Sequence, residues 1–413
     1  MPQIPAEPFT DEYFQNPHPT WAWLRQNSPA LPVTFPGTGV RVWLISRYED
    51  IQKILSDSRM FSSDSASATD HFRTAGLAIG PGTAWENAPA FSDPPDHTRI
   101  RRLFSPAFAA RRVAGLAGTL QKNFDQILDL LPSSEESELL GSVAYPFSIA
   151  TIGDILGAPL EDHEELQRLA SEAVHPDRAR SLAAITLLLD RARAFVAERR
   201  AHPRDDLLSE LIRSEEAEEA LTEAELVGTV GVLVVAGYNT TANLIGNGVL
   251  ALLDHEDQLR LLRDRPSLIG SAIEEILRYE SPAATSLWRF PRTEVTIGTT
   301  RIPAGEPILL LLGSANRDPS AFADADSFLI TRPSGPHVTF GHGIHFCLGA
   351  PLARLAGKTA ISSLIAKFPD IRLACPRDGL RYRPALIDRA LVELPVRLGP
   401  ARVAPTCGAR AGQ

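Results

Sequence analysis

The sequence predicts a mainly α protein with a minor antiparallel β region. Three observations predict this class. A long apolar stretch from Leu226 to Leu253 fits one central helix, helical periodicity recurs on both sides of it, and strand-like runs are few and short. A chain of 413 residues can bury a large core. We expect one domain over residues 1–398 and a disordered C-terminal tail over residues 399–413.

The central helix has a recognisable start. The acidic stretch Ser214 to Glu225 ends in "TEAE", in which Thr222 and Glu225 have the spacing of a capping box. From there to Leu253 an α-helix would be about 45 Å long. Because it is apolar nearly all round, it should cross the centre of the domain. Its asparagines, threonines and glycines make a membrane span the less favoured interpretation.

The remaining elements follow from periodicity and punctuation. Helices are predicted at 48–57, 96–108, 112–131, 206–216, 266–279 and 350–368. Strands are predicted within 39–47, 287–305 and 306–316, and the glycine-punctuated "IGTTRIPAG" predicts a hairpin. The irregular stretches 61–95 and 317–346 are long for loops, so we expect them to shape a pocket.

Composition and charge exclude several classes. The net charge of −9 argues against a nucleic-acid-binding protein. The three cysteines are too few for a disulfide framework and fit a reducing compartment. The N-terminus lacks the pattern of a signal peptide. We therefore expect a cytoplasmic monomer without a membrane segment.

The strongest local motif is "FGHGIHFCLGAPLAR", from Phe340 to Arg354. Cys347 lies in a glycine-rich loop before a predicted helix. Gly341, Gly343 and Gly349 permit tight turns and close approach to a flat ligand. A thiol near a helix N-terminus is biased toward the thiolate. On the loop alone, a buried free cysteine is an equal alternative, whereas a zinc site is disfavoured because no second ligand pair has zinc spacing.

Three further motifs have ordinary structural interpretations when taken singly. "EEILR" places Glu275 and Arg278 three residues apart, which by itself indicates a surface ion pair. "DHTRIR" places His97 and Arg101 on one helix face, as in a solvated basic helix. "AGYNTT", residues 236–241, puts polar groups inside the apolar central helix, as in a packing defect.

Together the four motifs resemble the cytochrome P450 family, over roughly Pro17 to Leu398. The resemblance implies a cytochrome P450 fold that carries haem b, with the thiolate of Cys347 as the iron ligand. Phe340 would pack near the cysteine, and N–H groups around Leu348 and Gly349 would donate to its sulfur.

The resemblance also assigns the groups around the haem. The haem propionates would be held by His97, Arg101, Arg289 and His345. A structural charge network behind the haem would consist of Glu275, Arg278 and Arg332. Ala323 and Ala325 stand where the family often has prolines, so a looser loop is expected there.

In the family, the central-helix motif binds oxygen. Ala236 and Gly237 would leave space for dioxygen, and Thr240 would hydrogen-bond it. Asn239 departs from the family pattern, which usually has an acid that relays protons at this position. Asparagine cannot titrate. Protons would then travel through water and Thr240, or through a substrate hydroxyl, or the enzyme would carry out less usual oxidative chemistry.

The implied activity is monooxygenation of a C–H or C=C bond. By resemblance the substrate is a mid-sized apolar natural product of polyketide or macrolide type, contacted by Phe91, Ala284, Thr285 and Leu287 and by the region 165–185. O2 is the oxidant, and electrons pass from NAD(P)H through a ferredoxin reductase and a ferredoxin. Docking of that ferredoxin would use a basic surface made of Arg101, Arg102, Arg111, Arg112, Arg354 and Lys358. Two alternatives stay open: peroxide-driven, ring-forming or isomerising chemistry, and a haem sensor without turnover.

Overall fold

A computed structural model describes residues 3–77, 85, 88–132, 136–175, 177–204, 206–213, 221–333 and 335–401. In these residues the helices are α1 Asp11–Gln15, α2 His18–Asn27, α3 Tyr48–Ser56, α4 Asp70–Thr74, α5 Asp96–Phe104, α6 Ala110–Gly115, α7 Ala117–Asp129, α8 Tyr145–Leu156, α9 His163–Glu172, α10 Arg178–Ala201, α11 Leu207–Arg213, α12 Glu223–Asp254, α13 Glu256–Asp264, α14 Ile269–Tyr279, α15 Leu312–Ala315 and α16 Ala350–Lys367. The strands are β1 Ala30–Thr34, β2 Arg41–Ile45, β3 Phe61–Ser62, β4 Glu136–Glu138, β5 Phe290–Pro291, β6 Val295–Ile297, β7 Thr300–Ile302, β8 Ile308–Leu310, β9 Arg372–Leu373 and β10 Pro395–Arg397. The predicted class, mainly helical with small sheets, is confirmed.

Helix α12 is the central helix that the sequence predicts. The capping box is present, since the Thr222 hydroxyl accepts from the Glu225 N–H and the Glu225 carboxylate accepts from the Thr222 N–H. Its 32 residues give a length of about 48 Å. Helices α8, α9, α10, α14 and α16 pack around it. None of the helices in the described ranges is long and apolar enough to cross a membrane.

Glycines let the neighbouring helices approach α12 closely. A Cβ added at Gly237 would lie 2.1 Å from the Ile152 side chain on α8. One at Gly246 would meet Leu140 at 2.5 Å, and one at Gly248 would meet Ile361 of α16 at 2.8 Å. At these positions the glycine leaves room for a branched side chain of the neighbouring element. Helices α8 and α16 can therefore pack directly against the central helix.

The sheets differ from the predicted antiparallel arrangement in one parallel pairing, and one small sheet was not predicted at all. β1 and β2 form an antiparallel pair, whereas β2 and β8 pair in parallel. The parallel pairing arises because β8 returns to β2 from far along the chain, so no hairpin turn fixes its direction. The predicted hairpin is present as β6 and β7, with Gly298 in the left-handed region between them. The sheet β4–β10–β9 was not predicted, because strands of two or three residues carry almost no periodicity.

The helix predictions hold in type but not in every boundary. The predicted helix at 96–108 ends as α5 at Phe104, and a 3₁₀ turn containing Pro106 follows. The one at 112–131 is divided into α6 and α7. Helix α10 was missed because apolar Leu182 and Leu187 lie on its exposed side, which obscures the periodicity. Positions 214–216 and the tail over 402–413 lie outside the described residues.

Candidate active site

A cavity of about 370 Å³ lies between α12 and the loop that precedes α16. On one side it is lined by Ala236, Gly237 and Thr240 of α12, and on the other by Phe340 and Cys347 of the loop. The structure therefore brings two of the sequence motifs, separated by about a hundred residues, to opposite walls of one cavity.

Backbone geometry fixes the loop that carries Cys347. The Cys347 N–H donates to the Phe340 carbonyl at 2.8 Å, and the Ala350 N–H donates to the Cys347 carbonyl at 3.3 Å. Gly343 has a φ of +70°, and a Cβ there would lie 2.3 Å from the Leu55 carbonyl oxygen. Only glycine fits that position, since both the backbone conformation and the close approach exclude a side chain.

The Cys347 thiol lies among groups that favour its anion. Its exposed surface is turned to the cavity that it lines. Burial among protein atoms raises the pKa of the thiol above its ordinary value, although N–H groups of Gly349 and Ala350 and the guanidinium of Arg101 act in the opposite direction. Gly349 is one of the expected donors, and Ala350 is a further one. A negatively charged sulfur would find these donors already in place.

Four basic side chains converge at the edge of the same cavity: His97, Arg101, Arg289 and His345. The rings of His97 and His345 are 4.2 Å apart between centroids. Burial and the neighbouring arginines lower the pKa of His97 to about 4, and burial lowers the pKa of Arg289 to about 10. The buried Nδ1 atom of His97 has no hydrogen-bond partner in the described structure. The two arginines carry the positive charge of this cluster, and the histidine rings add N–H donors, so the cluster is complementary to an anionic ligand.

Comparison with known proteins agrees with this geometry. The sequence profile of the family described as "Cytochrome P450" matches residues 183–371. "Cytochrome P450 107B1" from Saccharopolyspora erythraea is 40% identical over 95% of this chain and 97% of its own length. "Polyketide biosynthesis cytochrome P450 PksS" from Bacillus subtilis is 34% identical over 96% of this chain and 100% of its own.

A solved structure extends the similarity to the whole fold. The tirandamycin C-bound P450 monooxygenase TamI superposes with a TM-score of 0.88 at 36% identity, covering 94% of this chain and 99% of that one. The chain belongs to the cytochrome P450 family. It is accordingly a P450 monooxygenase, an oxidoreductase of a family that carries haem iron on a cysteine thiolate.

The residues present fit such a haem. Gly349 lies next to the sulfur, where a Cβ would make an ordinary contact with Sγ of Cys347 at 4.0 Å. The two propionates of haem would supply the negative charge that the cluster of His97, Arg101, Arg289 and His345 lacks. The unpartnered Nδ1 of His97 would gain an acceptor. Cys347 would hold the iron, and the cluster would hold the propionates.

The predicted charge network forms as expected. Arg278 donates to both oxygens of the Glu275 carboxylate, at 2.7 and 2.8 Å, and Arg332 donates to the same oxygens at 3.1 and 3.2 Å. The side chains of Glu275 and Arg278 are each 2% exposed. Arg332 and Arg278 also donate to the carbonyls of Ala323 and Ala325. This loop is therefore anchored by arginines although it lacks the family's prolines.

The α12 motif divides between two faces of the helix. Thr240 faces the cavity, and its hydroxyl donates to the Ala236 carbonyl at 2.5 Å. Gly237 also lines the cavity, and a Cβ added there would meet Ile152 of α8 at 2.1 Å. Asn239 is buried, and its amide donates to the Ala170 carbonyl of α9 at 3.4 Å. Its side chain is not part of the cavity wall found in the described structure.

The predicted substrate contacts are partly placed on the cavity. Thr285 and Leu287 line it, whereas Ala284 and Phe91 do not. Ala284 belongs to the hydrophobic cluster of the N-terminal segment, and its neighbour Ala283 lines the cavity instead. The region 165–185 contributes no lining residue among those described, because α9 packs against α12 rather than over the cavity.

One ion-pair cluster was not foreseen. Arg354 donates to both oxygens of Glu274, at 2.7 and 2.9 Å, and its guanidinium lies 4.6 Å from the centroid of the Phe340 ring. His337 is 3.2 Å from the same carboxylate. Arg354, a residue of the predicted docking surface, thus also supports the cysteine loop. The adjacent acid in "EEILR" was the available signal.

Proposed function

We propose that this P450 inserts one oxygen atom of O2 into a C–H or C=C bond of a mid-sized apolar natural product of polyketide or macrolide type. The observation that carries the proposal is the cavity, whose wall opposite Cys347 is mostly apolar, with Thr240 as the polar group next to Ala236 and Gly237. The relative named for polyketide biosynthesis and the tirandamycin C-bound structure support the substrate class.

The chain's own residues orient the substrate and control water. Val232 and Leu233 of α12, together with Leu287 and Ile387, form apolar walls that favour an apolar substrate and exclude bulk water. The Thr240 hydroxyl is held by the Ala236 carbonyl and can pass a proton into the cavity. When bound, the haem supplies the activation of oxygen, and the protein supplies position and protons.

Proton delivery does not use the side chain at position 239 as an acid. Asn239 cannot titrate, and its amide is bonded to Ala170 on the far face of α12. Water and Thr240, or a hydroxyl of the substrate, would carry the protons. The measured quantity is coupling, the fraction of consumed electrons that is recovered in product. Asn239→Asp is expected to change coupling only if a carboxylate at position 239 reaches the waters that deliver protons. Thr240→Val, which keeps the shape and removes the hydroxyl, should lower that fraction in either case.

Electrons come from NAD(P)H through a ferredoxin reductase and a ferredoxin that docks beside the cysteine loop. Two residues of the predicted docking surface also form ion pairs, Arg112 with Glu210 at 2.7 Å and Arg354 with Glu274. Arg111 is exposed and stays a docking candidate. Arg111→Glu should slow reduction by ferredoxin, and the slowing should diminish at high salt.

Asn239 favours a second candidate, a peroxide-driven oxidation, because hydrogen peroxide brings both oxygen and protons to the haem. Turnover with hydrogen peroxide alone can be compared with turnover by ferredoxin, its reductase and NADPH. Product from the second system alone supports the monooxygenase, and product from peroxide alone supports the alternative.

A substrate screen tests the proposal most directly. Polyketide and macrolide compounds are titrated into the holoprotein, and binding is read from the spin-state change of the haem. A matched set of small polar compounds serves as the control. The proposal requires at least one apolar member to bind and to gain one oxygen atom on turnover. Binding confined to the polar set would contradict it.

A further inference from the structure

Asp93 lies close to the cluster of basic side chains formed by His97, Arg101, Arg289 and His345. It is the one carboxylate in the described structure whose charge acts to raise the pKa values of both His97 and Arg289. Its own side chain is 10% exposed, so solvent screens it little. Asp93 itself is not among the residues that line the cavity.

The carboxylate of Asp93 organises the strand that supports His345. One oxygen accepts the Ser63 N–H at 2.9 Å, and the other accepts the Ser62 hydroxyl. Ser63 in turn lies with its hydroxyl 2.9 Å from Nε2 of His345. Since Ser62 and Ser63 are 0% and 5% exposed, this chain of contacts is shielded from water and fixes the imidazole ring.

The same residue holds the segments that carry the other basic groups. Its backbone carbonyl accepts the His97 N–H at 3.0 Å, at the start of helix α5, which also bears Arg101. Its carboxylate accepts a hydrogen bond from Arg292 at 2.5 Å. It also accepts from Ser62, which lies on β3 opposite Phe290 of β5, and Phe290 follows Arg289 in the chain. Asp93 is thus linked to His345 through Ser63, to helix α5 through its own carbonyl, and to the strand next to Arg289 through Ser62.

We propose that Asp93 is a positioning residue for haem binding, which acts through Ser63 to orient His345 and through its charge to balance the two arginines, Arg101 and Arg289, that face the propionates. Loss of a partner that orients a ligand-binding group costs about 10- to 100-fold in affinity in metal sites. Loss of a negative charge close to the haem favours the reduced, less positive iron.

The test compares Asp93→Asn, Ser63→Ala and their double variant as holoproteins. Asp96→Asn is the matched control, since Asp96 lies on the same segment but is 69% exposed. Haem transfer to an excess of apomyoglobin should be about 10-fold faster for Asp93→Asn and for Ser63→Ala. The double variant should be no faster than Asp93→Asn, because the two residues act through one contact. The ferric–ferrous midpoint potential of Asp93→Asn should move to more positive values, and the control should match wild type.

An unchanged haem-transfer rate and midpoint potential in Asp93→Asn would overturn the proposal, as would independent, multiplicative effects in the double variant. If Asp93→Asn yields no haem-bound protein, Ser63→Ala decides: faster haem transfer supports the role, and a wild-type rate contradicts it. Both measurements are made without substrate or redox partner. Failure of the proposed monooxygenation would therefore leave this result untouched.

Discussion

Gly237→Ala separates two explanations for a glycine in the α12 motif. If the glycine serves packing, the added Cβ would lie 2.1 Å from Cδ1 and 2.7 Å from Cγ1 of Ile152. Overpacking of this kind costs about 1–3 kcal/mol. The better helix propensity of alanine returns about 1 kcal/mol. We expect a net loss of about 0–2 kcal/mol in the free energy of unfolding.

A double-mutant cycle with Ile152→Ala isolates the contact. Ile152→Ala alone should cost about 2–5 kcal/mol, because Ile152 is 6% exposed and its removal leaves a cavity. In that background the clash is gone, so Gly237→Ala should stabilise by about 1 kcal/mol. The predicted coupling is therefore about 1–3 kcal/mol, measured by denaturant unfolding of the holoprotein.

The matched control is Gly118→Ala on α7, where a new Cβ meets nothing within 4 Å. It should not couple to Ile152→Ala. The packing explanation fails if Gly237→Ala has the same effect on stability with and without Ile152. In that event, oxygen binding to the reduced protein is measured as well. If Gly237→Ala selectively impairs it, the glycine provides space for oxygen.

Three further predictions concern stability. Glu275→Gln should lower the free energy of unfolding by about 3–5 kcal/mol, because it leaves the buried Arg278 and the half-buried Arg332 without their charge partner. A loss below about 1 kcal/mol in thermal unfolding would contradict the network. Burial by itself raises the pKa of Glu274, but His337 and Arg354 outweigh it and lower that pKa to about 2, against 4.5 as the ordinary value. The stabilisation is therefore complete above pH 4.5 and lost as the pH falls toward 2. Glu274→Gln should cost about 1–3 kcal/mol at pH 7, and the difference from wild type should shrink in acid; a pH-independent difference would refute the assignment. Thr222→Ala should cost about 1 kcal/mol through loss of the α12 cap, which denaturant unfolding would detect, whereas the flanking Glu223→Ala should cost less.

Motifs made of neighbouring residues were predictable from the sequence. The capping box at Thr222 and Glu225, the Glu275–Arg278 pair and the Cys347 loop each need only local spacing, and the structure contains all three. The resemblance then supplied partners distant in sequence, such as Arg332 and Arg289. Their convergence on Glu275 and on the cavity could not be worked out from spacing alone.

Side-chain direction was the main feature that the sequence could not give. Asn239 and Thr240 are adjacent, yet one faces α9 and the other the cavity. Likewise, Thr285 lines the cavity, whereas its neighbour Ala284 packs in a separate hydrophobic cluster. The contact between Gly237 and Ile152 depends on how α8 crosses α12, and the pairing of Arg354 with Glu274 depends on how α14 meets α16. Such facts come from helix packing, which no local pattern encodes.

The ferrous carbon monoxide spectrum of the reduced holoprotein tests the central claim, that Cys347 is the thiolate ligand of a haem in this cavity. Wild type should show the red-shifted Soret band of a thiolate complex, and Cys347→His should bind haem without that shift. Cys375→Ala, at the other described free cysteine, should keep the band. A wild-type spectrum without the red shift, or a red shift retained in Cys347→His, would contradict the account.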